Sequence, residues 1–148
     1  MRALVLAAGL AAMMAAPTVG YTAGSMSDSA DVTIGDIKRQ VDRRNYSNAI
    51  SKAEDYLRSN PRSADAYNYI GYSNRKMGRY NEAQRAYDRA LAIDPNHVGA
   101  HEYYGELHIT LGNMAGAEQH LADLTRICGN CEEQQMLAGK VARAKAGG

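Results

Sequence analysis

Residues 64–97 read ADAYNYIGYSNRKMGRYNEAQRAYDRALAIDPNH, and this stretch decides the fold. Apolar and small residues recur at helical spacing on both sides of Gly78: Tyr67, Ile70 and Gly71 before it, then Ala83, Tyr87 and Ala90 after it. Gly78 tolerates the left-handed backbone that ends a first helix. Pro95 ends the second, because it has no N–H with which to continue it. Gly71 and Ala83 are small where two antiparallel helices must cross, so their backbones can approach closely. The stretch is a helical hairpin.

Its register runs outward in steps of one hairpin. Ala49, Ala83 and Ala117 stand one step apart, as do Arg44, Gly78 and Gly112, and Pro61, Pro95 and Gly129. Breaks at Arg44-Asn45, Asn60-Pro61, Gly78, Pro95, Gly112 and Cys128 to Cys131 leave six helices of about twelve residues each. The repeats span 30–63, 64–97 and 98–131. Beyond them Gly139 keeps the register, while Leu137, Val141 and Ala144 form one apolar stripe. Glu132 and Glu133 favour the positive end of a helix there, and Arg143 and Lys145 the negative end.

This pattern resembles the tetratricopeptide repeat family. Tyr67, Ile70, Gly71, Ala83, Tyr87 and Pro95 stand where that family has Trp, Leu, Gly, Ala, Phe and Pro, and only Asn74 departs, replacing Tyr. The third unit keeps Gly105, Gly112, Ala117 and Leu121 but has His101 and His108 at aromatic positions. The first has Asp36 and Ile37 for Leu-Gly and Ala53 for the aromatic, as suits an end repeat whose outer face meets water. The resemblance implies an all-α right-handed solenoid of three hairpins and a solvating cap, residues 132–146, within a domain over 32–146. It also implies a protein-binding scaffold, not an enzyme.

In that family the first helix of each hairpin lines a concave groove. The matching positions here are Ile34, Lys38 and Val41, then Asp65, Asn68, Tyr69, Tyr72, Arg75 and Lys76, then Glu102, Tyr103, Glu106 and Ile109. A tyrosine cluster flanked by a basic pair and an acidic pair suits an extended or helical peptide, although the same tyrosines are equally suited to cover the hairpin interfaces. Relatives that clamp a C-terminal carboxylate use lysine, asparagine and arginine at positions held here by Ile34, Lys38, Tyr69, Gly99 and Tyr103, of which only Lys38 is basic, so that chemistry fails.

The 148 residues carry 17 Lys and Arg against 16 Asp and Glu, so no basic face argues for nucleic acid. Ten tyrosines, without phenylalanine or tryptophan, suit thin helical layers that need a ring and a wetted hydroxyl. Arg2, the uncharged run Ala3 to Ala16, and Pro17 with small residues after it predict a cleaved signal peptide over 1–24. A membrane anchor and a mitochondrial presequence are the rival readings. The apolar run is short of the roughly 20 residues a span needs, and Arg2 is its only basic residue. Residues 25–31 form a polar spacer. The mature chain is expected in the periplasm or outside the cell, with no membrane span.

Export changes the reading of Cys128 and Cys131. An oxidising compartment favours a disulfide. A redox pair, half of a zinc site, and free thiols or an intermolecular bridge are the alternatives, the first disfavoured by Glu132 and Glu133 beside Cys131, the second by the lack of partner ligands, with only His120 upstream. A thiol-disulfide or metal-handling accessory therefore remains the second functional reading. His101 and His108 read as core aromatics, and His97, at a hairpin junction, has no carboxylate placed to complete a site. Asn45-Tyr46-Ser47 matches a glycosylation acceptor on a poor, helical host. No catalytic constellation or cofactor motif stands out. The expected partner is a protein or peptide, with self-association through a solenoid end as a further possibility.

Overall fold

A computed structural model describes residues 31–147, so the expected signal segment and nearly all of the spacer lie outside the described residues. Seven helices occur among the described residues: α1 (Ile34–Asp42), α2 (Tyr46–Ser59), α3 (Ala64–Lys76), α4 (Tyr80–Ile93), α5 (Val98–Thr110), α6 (Met114–Cys128) and α7 (Glu132–Ala146).

Their ends follow from local chemistry. Ser63 Oγ accepts the Ala66 N–H at 3.2 Å and His97 Nδ1 accepts that of Ala100 at 3.0 Å, so α3 and α5 start one register step apart. In α1 the reciprocal box of Thr33 and Asp36 fixes the start at Ile34, one turn later than the register alone predicts. The odd-numbered helices of the three hairpins end alike. Arg44, Gly78 and Gly112 have φ of 59°, 74° and 73°, and the amides of Asn45, Arg79 and Asn113 reach back to Gln40, Asn74 and His108 at 2.9 Å. A left-handed residue here turns the chain while satisfying a terminal carbonyl.

Each helix packs on its sequence neighbours, and α1, α3, α5 and α7 also pack in succession along one side. The result is an all-α helical-hairpin solenoid. Its core falls into three clusters, centred on Ile37, Ala53 and Ala66; on Ala83, Tyr87, Tyr104 and Leu107; and on Ala117, Leu124, Leu137 and Val141.

The degenerate first unit now has a packing explanation. Tyr87 is fully buried over Gly71, where an added Cβ would meet the ring at 2.5 Å. One register step earlier the sizes are exchanged: Ile37 replaces the glycine and Ala53 the aromatic, and both are fully buried in one cluster. Ile70, one residue before Gly71, packs against that first cluster. Gly105 is different again, since the side chain over it is Leu137 of α7, at 2.5 Å from an added Cβ. The cap is thus locked into the last hairpin through the small residue the register provides.

Candidate functional site

The side formed by α3, α5 and α7 holds a cleft of about 500 Å³. Tyr72, Arg75, Lys76, Glu102, Tyr103 and Glu106, all predicted groove residues, line it, joined by Glu132, Glu133, Met136 and Lys140 of α7. The other predicted residues lie elsewhere: Ile34 packs against the first core cluster and Ile109 against the third, Asp65 faces His97, and Val41 is half-buried on α1. Lys38 is exposed and pairs with Asp42 at 2.8 Å, Asn68 is buried beneath Gly99, and Tyr69 packs against the first core cluster.

The expected flanking charges are largely consumed inside the protein. Arg75, nearly buried, binds Glu106 at 2.8 Å, and its guanidinium lies over the rings of Tyr72 at 5.4 Å and Tyr103 at 6.0 Å. The two rings meet each other at 4.8 Å. Lys140 bridges Glu102, at 3.2 Å, and Glu106. The basic pair therefore divides: Arg75 is an internal strut, and Lys76 stays exposed with its ammonium 5.4 Å from the Tyr72 ring. Burial pushes the Glu102 carboxyl above the ordinary glutamate range, with Lys140 opposing that shift. Burial likewise raises the Tyr103 phenol, and Glu102 beside it adds to the effect, so both tyrosines present neutral hydroxyls.

The α7 residues were missed because the cap was read as solvating. Stepping the repeat one unit on would have found them, since Lys140 follows Glu106 and Met136 follows Glu102 in the same columns of the array. A Glu-to-Lys change within one column is the sequence form of the ion pair seen between stacked helices.

A second polar cluster lies between α5 and α6. His101, buried, has Nε2 2.9 Å from the Pro95 carbonyl and Nδ1 3.0 Å from His120 Nδ1. Tyr104 stacks on His108 at 4.7 Å and packs against His120 at 4.6 Å, while its hydroxyl donates to Asp88 at 2.8 Å. Burial, followed by the nearby rings of His101 and His108, lowers the His120 pKa to about 4. His101 and His108 thus sit among aromatics as expected, but the partnership with His120 crosses the hairpin turn and was not anticipated. The reading of His97 needs correction: Asp65 is placed to pair with it, at 2.9 Å from Nε2, and the pair joins the starts of α3 and α5.

Cys128 closes α6 and Cys131 precedes α7, their Cα atoms 5.6 Å apart with the sulfurs at bonding distance. No helix among the described residues is long and apolar enough to cross a membrane.

Models described as tetratricopeptide repeat match residues 37–80 and 75–141 of this chain. No curated protein matches its sequence. Solved structures similar to it include the TPR2B domain of yeast Sti1 in a complex with pHsp70, at 18% identity and a TM-score of 0.68, covering 76% of this chain and 92% of that one. The type III secretion translocator chaperone SycD of Yersinia enterocolitica is 16% identical with a TM-score of 0.67, covering 77% and 81%. A tetratricopeptide repeat protein from Parabacteroides merdae, also 16% identical with a TM-score of 0.64, is matched over 77% of this chain but 44% of its own length. At these identities the likeness is one of fold. With the hairpin register, the stacked packing and two family models covering consecutive parts of the array, the chain belongs to the tetratricopeptide repeat family.

Proposed function

We propose that this protein is an exported, non-catalytic adaptor that holds a segment of a partner protein in the cleft between α3, α5 and α7. The cleft carries the reading: it lies on the helices that face inward in such arrays and combines two touching tyrosine rings with exposed Met136 and Lys76. Once Arg75 and Lys140 are paired internally, the free charges at the rim are Lys76, Glu132 and Glu133, an acidic balance. An apolar or aromatic side chain with a basic neighbour fits that surface. The yeast Sti1 domain was solved with pHsp70, which supports use of the fold for binding another protein. Ile34, Tyr69, Gly99 and Tyr103 argue against anchoring a terminal carboxylate here.

The internal role of Arg75 dictates the test. Removing it would disturb the fold, so the informative variant pairs Tyr72→Ala with Met136→Ser, two side chains at the open face. Photocrosslinking from position 136 of the full chain in its native envelope should trap one partner, with exposed Arg85 on α4 as the control position. The double variant should capture that partner about tenfold less well, with far-ultraviolet circular dichroism unchanged. Equal capture would sink the cleft.

The export half of the proposal rests on Arg2 and the apolar run Ala3 to Ala16. The Cα spacing of Cys128 and Cys131 falls within disulfide range, which supports a covalent staple between α6 and the cap in an oxidising compartment.

A further inference from the structure

We propose that His101, His120 and Asp123 form a site for a divalent transition ion that favours tetragonal coordination, Ni2+ or Cu2+. One ligand atom from each residue lies within 4.8 Å of the others, and they are the one such group among the described residues. His120 and Asp123 are three apart on α6 and so share a face. His101 reaches them from α5 across the last hairpin.

The donor set is prepared as metal sites are. His101 Nε2 donates to the Pro95 carbonyl at 2.9 Å, which fixes the tautomer and leaves the Nδ1 lone pair aimed at His120. An imidazole held by a backbone carbonyl through its distal N–H is the usual outer support of a metal-binding histidine. Asp123 is likewise steadied, accepting from Gln119 and Arg126, each at 3.3 Å. These contacts are long for charge-assisted bonds, so the carboxylate can turn toward an ion at little cost. The rings of Tyr104 and His108 beside His120 narrow access from one side.

The close spacing of the two imidazole nitrogens favours one class of ion, once the Asp123 carboxylate has turned inward. With metal–nitrogen bonds of about 2.1 Å, nitrogens 3.0 Å apart subtend roughly 90° at the metal. That angle suits tetragonal coordination by nitrogen and oxygen, the preference of Cu2+ and Ni2+. A tetrahedral zinc site would need the rings spread further. Without metal, His120 Nδ1 donates its proton to His101 Nδ1. Binding moves that proton to His120 Nε2, so both rings ligate as neutral imidazoles and no net proton is released. His120 and Asp123 are partly exposed, leaving the remaining positions open to water.

The probe is Ni2+ added to the full chain, followed by calorimetry and by nitrogen-detected imidazole NMR. One equivalent should bind, with His101 and His120 shifting together and His97 unmoved. His120→Gln and Asp123→Asn should each weaken binding by at least about tenfold while keeping wild-type helicity. His97→Asn and the Cys128→Ser/Cys131→Ser pair should change it by less than about twofold, within ordinary additivity for separate sites. Asp123→Asn keeps the test decisive if a histidine variant misfolds, because Asp123 lies at the surface edge. No binding at millimolar Ni2+, binding retained in Asp123→Asn, or binding lost with the cysteines would overturn the site.

Discussion

Gly71, Gly105 and Gly139 occupy one register position in successive units, yet the same substitution to alanine should have opposite effects along the series. At Gly71 the new Cβ would stand 2.5, 2.6 and 2.9 Å from three atoms of the Tyr87 ring, where ordinary contact begins near 3.4 Å. Tyr87 is fully buried, so the ring must move by about 1 Å in a close-packed site. Such overpacking costs about 1–3 kcal/mol, against about 1 kcal/mol gained by replacing glycine in a helix interior. A net loss of up to about 2 kcal/mol follows. At Gly139 the nearest atom is the flexible end of Arg143, at 3.5 Å, so alanine should stabilise by about 1 kcal/mol. Gly105 falls between, because the obstructing atoms are Leu137 methyls, which can yield slightly. Urea unfolding followed by far-ultraviolet circular dichroism measures all three, with unchanged m-values required. In a Tyr87→Leu background the penalty at Gly71 should vanish and the helix-propensity gain appear. Stabilisation by Gly71→Ala in the wild type, or a penalty that survives Tyr87→Leu, would refute the packing account.

Three further outcomes are expected. Arg44 adopts the left-handed backbone that glycine supplies in the next two units, so Arg44→Gly should stabilise by up to about 1 kcal/mol in the same assay; any loss would mean the arginine side chain matters more than its backbone. Lys140→Met should cost about 2 kcal/mol at pH 7, because Glu102 is left nearly buried without its cation while Glu106 keeps only Arg75. The sign of its pH dependence follows from Glu102, whose carboxyl is raised in the folded state. As pH rises from the ordinary glutamate range through that raised value, the unfolded chain ionises first and stability falls. The variant lacks the cation that holds this rise down, so its deficit should shrink as pH falls from above the raised value toward about 4.3 and be smallest below that, and a deficit constant with pH would refute it. If Cys128 and Cys131 are bonded, their four-residue loop makes the Ser/Ser variant less stable by about 2 kcal/mol without reductant and equal with it; equality in both conditions would rule out the staple.

The hairpin array was legible because its signals are local and repeated. Gly78, Gly112 and Pro95 stop helices wherever they stand, and a register supported by three alanines survives the loss of any one consensus residue. The exchange between Ile37 and Ala53 was harder to see. Each looks like a departure from the pattern, and only their joint volume conserves the packing. The site was partly legible for a related reason. A column of the array names the side chains that share a face but leaves open which of them satisfy one another. Arg75 was read as a surface cation because its pairing to Glu106 spans one repeat, and Asp65 was overlooked as the partner of His97 because they open different helices. The meeting of His101 with His120 depends on how α5 and α6 cross, which spacing along one helix does not encode.

The cap changes what the array offers a partner. An odd-numbered helix without a following even-numbered one would expose its apolar stripe, and α7 avoids this by placing Leu137 over Gly105 and burying Val141. The same seating directs Lys140 onto Glu102 and Glu106 and sets Met136, Glu132 and Glu133 along the cleft wall. The residues that seat α7 are therefore neighbours of the ones that complete the proposed cleft. A truncation removing α7 would strip the hydrophobic cover from Gly105 and leave two nearly buried glutamates without their shared cation. Under the proposed function, stability and partner capture are coupled through this helix, and substitutions confined to its exposed side chains, Met136 above all, are the ones able to separate them.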